Sequence, residues 1–263
     1  SQDMVREENM LGHLRQIARA RTVEEMFERS VAALTEIGLS RVYFQGPIGS
    51  DRSLTRNTHS YGFPEVWAQT YEVRWQVHDP FPDAAARYPG PLYWHRLPSS
   101  IVLNADELAY LDFLKQNGME QGLCILLYGN ATRVGFLGAS PGPDGPAVET
   151  VDRELFQFIS MAAFTRYCQL VTMDPELPVA LSGRELDVLY WMAQGRSNGA
   201  IAEVLGISQD TVNTYVKRVF AKMNVFDRTS AVMKGVQHGL VIVSDPISEL
   251  VAEQMREKRH TGS

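Results

Sequence analysis

The chain has 263 residues, of which 44% are hydrophobic, and its formal net charge is −6 at pH 7. Such a length can bury a sizeable core and accommodates two domains. No apolar run approaches the about 20 residues that a membrane span needs, and no charged and then apolar leader opens the sequence, so we expect a cytoplasmic protein that does not bind membranes.

The first 170 residues alternate between helical and strand patterns. Helices are predicted near 4–20, 23–36 and 151–171, and strands near Arg41 to Gln45, Leu92 to Arg96, Leu123 to Tyr128 and Gly135 to Ala139. This order predicts an α+β fold, in which an N-terminal α-β-α sandwich surrounds an antiparallel sheet. The last of these helices is apolar on more than one side, which fits a partner helix or second domain and, equally well, plain core packing.

Aromatic and polar side chains cluster between residues 63 and 94. Trp67 and Tyr71 are four residues apart, on one face of a predicted helix, and Asp79 and Pro80 follow at its exit. Small-molecule pockets are mostly apolar and contain a few placed hydrogen-bonding groups. The apolar walls would be Phe63, Trp75, Phe81, Tyr93 and Trp94. On residue types alone, an aromatic core is an equally good interpretation.

Two further features bear on chemistry. Cys124 and Cys168 lie in apolar stretches without metal-ligand spacing, so buried free thiols are expected, with no metal and no cofactor. Residues 138–142 match G-x-S-x-G, the pattern of a hydrolase nucleophile elbow. The residue after the nucleophile would have to donate its backbone N–H, and Pro141 has none. We therefore predict that the protein is not an enzyme. A phosphate-accepting receiver domain is a further alternative for the N-terminal part. We find no early cluster of acidic residues at strand ends that would indicate one.

A linker and a small helical domain follow. Residues 173–180 combine two prolines with a charge pair and are interpreted as the linker. Ser182 and Glu185 form a capping box that begins a helix, and Gly195 is expected to end it. A second helix is predicted from about Gly199 to Leu205. The domain would span 181–243, before a charged C-terminal tail at 244–263.

The turn Gly206-Ile207-Ser208 leads into a third helix, which Ser208 can cap. The residues Val212, Val216, Val219 and Met223 recur at helical spacing and should face the core. Two short helices that meet at such a turn predict a helix-turn-helix unit, whose last helix enters the major groove of double-stranded DNA.

The outward face of the third helix carries the predicted DNA contacts. The amide of Asn213 can bond adenine, Lys217 can reach guanine acceptors, and the Thr214 methyl can touch a thymine methyl. The predicted phosphate contacts are Tyr215, Arg218 and Lys222. Thr211, on the same helix, is a further predicted DNA-binding residue. The alternative is that these side chains are merely the solvated face of a three-helix unit.

Charge indicates how the protein would bind DNA. From Leu177 onward, ten Lys and Arg accompany nine Asp and Glu, whereas the preceding part has 15 against 22. So weak a positive charge gives modest non-specific attraction to DNA, and useful affinity then needs two copies that bind together. The sequence therefore predicts a homodimer.

Two segments resemble one family. The stretch from about Leu181 to Leu240, with its GRSNGAIAEVLGIS turn and TVNTYVKRVFAKM helix, resembles the DNA-binding domain of LuxR-type regulators. The residues Trp67, Tyr71, Asp79, Pro80, Trp94 and Gly122 resemble, in order and nearly in spacing, the autoinducer-binding signature of LuxR-type quorum-sensing receptors. The resemblance implies an autoinducer-binding and dimerisation domain at 1–172 and RNA polymerase as a further partner.

The family's ligand is an N-acyl-homoserine lactone. The resemblance implies that Trp67 donates to the lactone carbonyl, Tyr71 donates to the amide carbonyl, and Asp79 accepts from the amide N–H. Trp94 would pack against the lactone ring. These assignments agree with the chemistry of the side chains, because an indole N–H only donates and a carboxylate only accepts.

One position departs from the family pattern. Many members carry a Ser or Thr hydroxyl near the position of Gly138, and the nearest hydroxyl here is that of Ser140. The contact to the amide or to a 3-oxo group therefore stays open. An orphan regulator that responds to a non-lactone molecule, or to no ligand, is the alternative, although Trp67 and Tyr71 are intact.

Overall fold

The computed structural model describes residues 2–47, 57–171 and 180–242. The chain divides into two compact units, and residues 180–242 of the described part belong to the second. Of the predicted linker at 173–180, only Ala180 lies within the described residues, and the predicted tail at 244–263 lies outside them. In the described ranges, no helix is long and apolar enough to cross a membrane.

The first unit contains six helices and five strands in its described part. The helices are α1 (Gln2–Ala18), α2 (Val23–Glu36), α3 (Glu65–Thr70), α4 (Phe81–Ala85), α5 (Ala105–Gln116) and α6 (Arg153–Val171). The strands are β1 (Arg41–Gln45), β2 (Thr58–Tyr61), β3 (Leu92–Tyr93), β4 (Leu123–Tyr128) and β5 (Val134–Ser140). A π-helical turn at Tyr71–Trp75 continues α3, and 3-10 turns follow at Gln76–His78 and Trp94–Arg96.

The strands form one antiparallel sheet in the order β2-β1-β5-β4-β3. Alternate residues of a strand point to opposite faces, and β1 shows the result: Val42 and Phe44 pack with α1, α2 and α6, whereas Tyr43 packs with α3, α4 and α5. Helices therefore cover both faces of the sheet, which confirms the predicted α-β-α sandwich.

Several element boundaries differ from the prediction. The edge strand β2 was not predicted, because the sequence THSY is polar and lacks the alternation of a half-buried strand. The strand predicted through Arg96 ends at Tyr93. The backbone N–H of Trp94 still pairs with the carbonyl of Gly122, and the chain then turns away as a 3-10 turn. The predicted long helix begins at Arg153, where Asp152 accepts hydrogen bonds from the first turn.

The second unit contains four helices in its described part: α7 (Gly183–Ala193), α8 (Asn198–Leu205), α9 (Gln209–Met223) and α10 (Arg228–Gln237). The predicted capping box of Ser182 and Glu185 is present. Gly206 adopts a φ of 64°, a left-handed conformation that glycine tolerates, and it ends α8. The helix α8 begins at Asn198 rather than Gly199, since Ser197 caps it.

The core of the second unit agrees with the spacing of the third predicted helix. Val212, Val219 and Met223 are fully buried, and Val216 packs against them while partly exposed. Together with the left-handed turn between α8 and α9, this packing confirms the helix-turn-helix.

Candidate functional site

The first site is an aromatic cluster between the sheet and helices α3, α4 and α5. Three rings, each four residues from the next, stack on one another. The ring centroids of Phe63 and Trp67 are 4.2 Å apart, and those of Trp67 and Tyr71 are 4.3 Å apart. The wider π-helical turn that begins at Tyr71 is a feature often found at functional sites. Two of the predicted ligand-binding residues, Trp67 and Tyr71, therefore lie side by side.

Asp79 lies at the polar centre of this cluster and is 1% exposed. Its Oδ2 accepts from the hydroxyl of Tyr71 at 2.6 Å and from the hydroxyl of Tyr43 at 3.0 Å. Its Oδ1 accepts from the backbone N–H of Phe81 at 2.9 Å. Burial, and then the nearby charge of Asp79, raise the pKa of the Tyr43 phenol well above its usual value. Tyr43 therefore stays a hydroxyl donor at any physiological pH.

Trp67 and Tyr71 also have partners on other elements. The indole N–H of Trp67 donates to the hydroxyl of Tyr110 on α5 at 3.1 Å. The hydroxyl oxygen of Tyr71 accepts from the side-chain amide of Gln45 at 2.8 Å. Tyr43, Gln45 and Tyr110 were not predicted as site residues. Their signal in the sequence is weak, because Tyr43 and Gln45 read as ordinary members of a strand, although their spacing of two places them on one face.

Trp94 is held in the cluster from three sides. Its ring stacks on Phe81 with centroids 5.3 Å apart, and its indole N–H donates to the carbonyl of Glu120 at 3.0 Å. A Cβ at Gly122 would lie 2.3 Å from the indole ring. Gly122 therefore makes room for Trp94, which gives this glycine a packing role in the aromatic cluster.

Of the other predicted wall residues, Trp75 belongs to the cluster, whereas Tyr93 packs against the core on the opposite face of the sheet, so its assignment to the pocket wall is wrong. Pro80 is buried and precedes α4. Ser140, at the end of β5, donates its hydroxyl to the backbone carbonyls of Gln121 or Pro141, at 2.8 and 3.1 Å. Gly138 lies opposite Tyr43 in the sheet register, and the Tyr43 ring covers it. The structure thus directs the Ser140 hydroxyl toward backbone and brings a tyrosine to the position where a hydroxyl was missing.

A cavity of about 160 Å³ adjoins the stacked rings of Phe81 and Trp94. Ligand pockets for drug-sized molecules measure roughly 300–1,000 Å³. This cavity alone is smaller than that range, and Trp67, Tyr71 and Asp79 are not among the residues that line it.

The two cysteines are buried free thiols, as predicted. Cys124 lies opposite Gly138 in the register of β4 and β5. Burial, followed by the charge of Asp79, raises the pKa of the Cys124 thiol well above its usual value. Among the described residues, no group of three or more His, Cys, Asp and Glu side chains could hold a metal ion.

The second site is the outward face of α9. Oδ1 of Asn213 accepts a hydrogen bond from the side-chain amide of Asn198 at 2.8 Å. The hydroxyl of Thr214 donates to the carbonyl of Asp210, which leaves the methyl group to make contacts. Lys217 and Arg218 are exposed, and the guanidinium of Arg218 lies 5.7 Å from the ring centroid of Tyr215. These residues form a continuous polar face suited to DNA.

Two residues predicted to contact DNA bind within the unit. The ammonium group of Lys222 donates to the buried carboxylate of Glu185 at 2.7 Å and to the carbonyl of Ala180 at 3.3 Å. Glu185 is 2% exposed, and the hydrogen bond from Lys222 lowers its pKa. Thr211 shares a hydrogen bond with Ser208, the cap of α9. Lys222 thus fixes α9 against α7, whatever else it contacts.

Two family models match the chain. Residues 22–167 match the autoinducer binding domain. Residues 179–234 match the bacterial regulatory proteins of the luxR family. Together these segments contain every residue predicted to bind ligand or DNA.

The chain is also similar to individual proteins. The transcriptional activator protein AhyR of Aeromonas hydrophila is 28% identical over 189 residues, which cover 68% of this chain and 71% of AhyR. The structure of SdiA in complex with octanoyl-rac-glycerol has a TM-score of 0.57 at 21% identity and covers 89% of this chain and 95% of SdiA. The structure of CepR2 from Burkholderia cenocepacia has a TM-score of 0.50 at 17% identity, and the match covers 62% of this chain and 96% of CepR2. Each of these two structures has the fold of this chain over the part that it covers.

Proposed function

Because the chain belongs to the LuxR family of bacterial regulators, with an autoinducer-binding domain ahead of its helix-turn-helix domain, we propose that it is a receptor for an N-acyl-homoserine lactone. The family consists of transcription regulators, so the protein regulates transcription in response to a small molecule and is not an enzyme. A regulator that binds promoter DNA works where the bacterial chromosome lies, in the cytoplasm. We propose three further points: that the small molecule is a lactone, that the protein forms a homodimer, and that the homodimer binds promoter DNA.

The observation that carries the proposal is the buried carboxylate of Asp79 beside Tyr71 and Trp67. An acyl-homoserine lactone presents one amide N–H donor and two carbonyl acceptors in its headgroup. The site offers the complementary set, since Asp79 accepts and the hydroxyl of Tyr71 and the indole of Trp67 donate. A charged acceptor makes the stronger hydrogen bond. Trp94, stacked on Phe81, supplies a flat apolar wall for the lactone ring.

Two related structures support an acyl ligand. CepR2 is described as an N-acylhomoserine lactone dependent transcription factor of the LuxR family. SdiA is described in complex with octanoyl-rac-glycerol, which is an acyl ester without a lactone. Both molecules combine a polar headgroup with an aliphatic chain. We infer the same general shape for the ligand of this protein.

Ligand binding would control DNA binding through stability and assembly. A ligand that binds only the folded state stabilises it by RT ln(1 + [L]/Kd), about 2.7 kcal/mol at a hundredfold excess over Kd. The lactone would become part of the first domain's core and stabilise a homodimer. The dimer would then place two α9 helices at the spacing of two half-sites. RNA polymerase is the partner expected at such a promoter.

One observation favours a second candidate function. The indole of Trp67 and the hydroxyl of Tyr71 already donate to Tyr110 and Asp79. Buried polar groups cost free energy when they lack partners, and here the protein itself supplies them. An orphan regulator that folds without a lactone, or that responds to another molecule, is consistent with this network.

The test is the melting temperature of the purified protein with acyl-homoserine lactones from butanoyl to dodecanoyl, with and without a 3-oxo group. Octanoylglycerol and the free fatty acids serve as comparison ligands. A rise that depends on acyl chain length supports the lactone receptor, and Asp79→Asn should reduce it while the α9 contacts to DNA persist. A protein that responds only to octanoylglycerol, or to none of these molecules, would support the second function.

A further inference from the structure

Tyr43 and Gly138 form a pair of one large and one small residue on neighbouring strands. They lie directly opposite each other in the register of β1 and β5. A Cβ at Gly138 would lie 2.2 Å from Cε1 and 2.8 Å from Cζ of Tyr43. Atoms in folded proteins do not pack so closely. The Tyr43 ring therefore occupies the space that any side chain at position 138 would need.

The Tyr43 ring also borders the residues that we assign to the ligand headgroup. Its centroid lies 5.4 Å from that of Trp67 and 5.5 Å from that of Tyr71, and both contacts are edge-on. The ring of Trp94 is 6.4 Å away on another side. A ligand that separates these rings from one another must therefore also contact Tyr43.

The hydrogens available at Asp79 give Tyr43 a second role. The hydroxyl of Tyr71 has one hydrogen, which it donates to Oδ2 of Asp79. To donate to the amide carbonyl of a ligand, Tyr71 must turn this hydrogen away from the carboxylate. Tyr43 donates to the same Oδ2 atom. The carboxylate therefore keeps a hydroxyl donor on that oxygen when Tyr71 serves the ligand, which avoids the cost of a poorly solvated buried charge.

We propose that Tyr43 determines which acyl ligand this receptor accepts, in two ways. Its hydroxyl positions Asp79 for the ligand amide, and its ring, seated over Gly138, limits the space beside the headgroup. The proposal rests on the proposed function, because it assigns a role within the same ligand site. It accounts for the absence of a hydroxyl side chain at 138, since Tyr43 brings a hydroxyl from the opposite strand.

Two variants of Tyr43 separate the role of the hydroxyl from that of the ring. Tyr43→Phe removes only the hydroxyl, and Tyr43→Leu removes the ring. Phe44→Leu is the matched control, because Phe44 is the next residue of β1, is equally buried, and packs on the opposite face of the sheet. Each protein is titrated with the lactone series from butanoyl to dodecanoyl, and affinity is measured by the shift in melting temperature.

Tyr43→Phe should lose about tenfold in affinity for every lactone of the series, without a change in the preferred length. Without the Tyr43 hydroxyl, Oδ2 of Asp79 keeps the Tyr71 donor in the free protein but has no hydroxyl donor once Tyr71 turns to the ligand, so the bound state loses more. Tyr43→Leu should shift the preference toward longer or bulkier acyl groups. Phe44→Leu should lower the melting temperature of the ligand-free protein and keep the wild-type preference. Gly138→Ala should destabilise the wild type strongly and the Tyr43→Leu variant weakly, a coupling that identifies the steric pair.

The outcomes distinguish this inference from the proposed function. If the wild type responds to lactones but Tyr43→Leu keeps the wild-type preference for acyl length, the role of the ring is wrong. That result leaves the proposed function intact. Full affinity in Tyr43→Phe overturns the role of the hydroxyl, and this variant keeps the fold testable if Tyr43→Leu does not fold. A wild type that no lactone stabilises overturns the proposed function and this inference with it.

Discussion

The side-chain amide of Asn198, the first residue of α8, donates a hydrogen bond to Oδ1 of Asn213 in α9, with 2.8 Å between the two atoms. Arg228 of α10 donates in turn to Oδ1 of Asn198 at 3.2 Å. Asn198 thus joins α8, α9 and α10 through side-chain hydrogen bonds. We propose that this contact orients the amide of Asn213 so that its NH₂ group can donate to a base.

We predict that Asn198→Ala reduces base discrimination by α9. An amide whose orientation is no longer fixed can present either its donor or its acceptor to a base edge, so the discrimination that one such contact provides, about 1–3 kcal/mol, should fall. The measurement compares binding to an operator selected from random DNA with binding to single-base variants, at constant salt. Non-specific affinity should stay unchanged, because Asn198 contributes no charge.

Arg218→Ala is the matched comparison for that experiment, because Arg218 is a predicted phosphate contact and not a predicted base contact. Arg218 is exposed on α9, the helix that carries Asn213, and has the charge that Asn198 lacks. Its loss should weaken binding to all sequences and reduce the salt dependence. If Asn198→Ala reproduced this uniform loss, the orienting role of Asn198 would be wrong.

The sequence predicted the sandwich and the helix-turn-helix because both depend on local periodicity. Strands β1 and β4 begin and end as predicted, since each has a run of apolar residues at its centre. The polar edge strand β2 carries no such period, and its pairing with β1 depends on contacts distant in sequence. The end of β3 was also mispredicted, because it depends on the packing of Trp94 and not on a local pattern.

Helical spacing predicted one part of the aromatic cluster, and the family resemblance added Asp79, Pro80, Trp94 and Gly122. Trp67 and Tyr71 could be paired from their separation of four residues, and the ring stack confirms this. Tyr43 and Tyr110 reach the cluster from a strand and a distant helix, so no local pattern connects them to Asp79. Lys222 was predicted to contact phosphate because it is a lysine on the outward face of the helix. Its hydrogen bond to the buried carboxylate of Glu185 depends on how α9 packs against α7, which the local sequence does not show.

We predict that Lys222→Met destabilises the DNA-binding unit by about 2 kcal/mol, because it removes the ion-pair partner of a buried carboxylate. Hydrogen exchange of the α7 and α9 backbone amides in the full chain measures this directly. Lys217→Met is the control, since Lys217 is exposed on the same helix and should leave exchange unchanged. Equal protection in the two variants would show that the Lys222 contact contributes nothing to stability.

The same ion pair predicts a dependence on acid pH. The hydrogen bond from Lys222 lowers the pKa of Glu185 below its ordinary value. A depressed pKa means that the contribution to stability is present above the unfolded value, about 4.3, and is lost as pH falls through the folded value. Protection of α7 and α9 should therefore decline below about pH 5, and Glu185→Gln should flatten this decline. A decline of the same steepness in Glu185→Gln would assign the acid sensitivity to other carboxylates.

Gly122→Ala should damage the ligand site through Trp94. The added Cβ would lie 2.3 Å from the indole ring, which is held between Phe81 and the carbonyl of Glu120 and cannot retreat freely. Overpacking of this kind costs about 1–3 kcal/mol. We expect a lower melting temperature and a weaker response to lactones. Gly12→Ala is the control, because nothing lies within 4 Å of a Cβ at this position of α1. Replacing that helical glycine should leave stability unchanged or raise it, so a similar loss in both variants would contradict the steric role of Gly122.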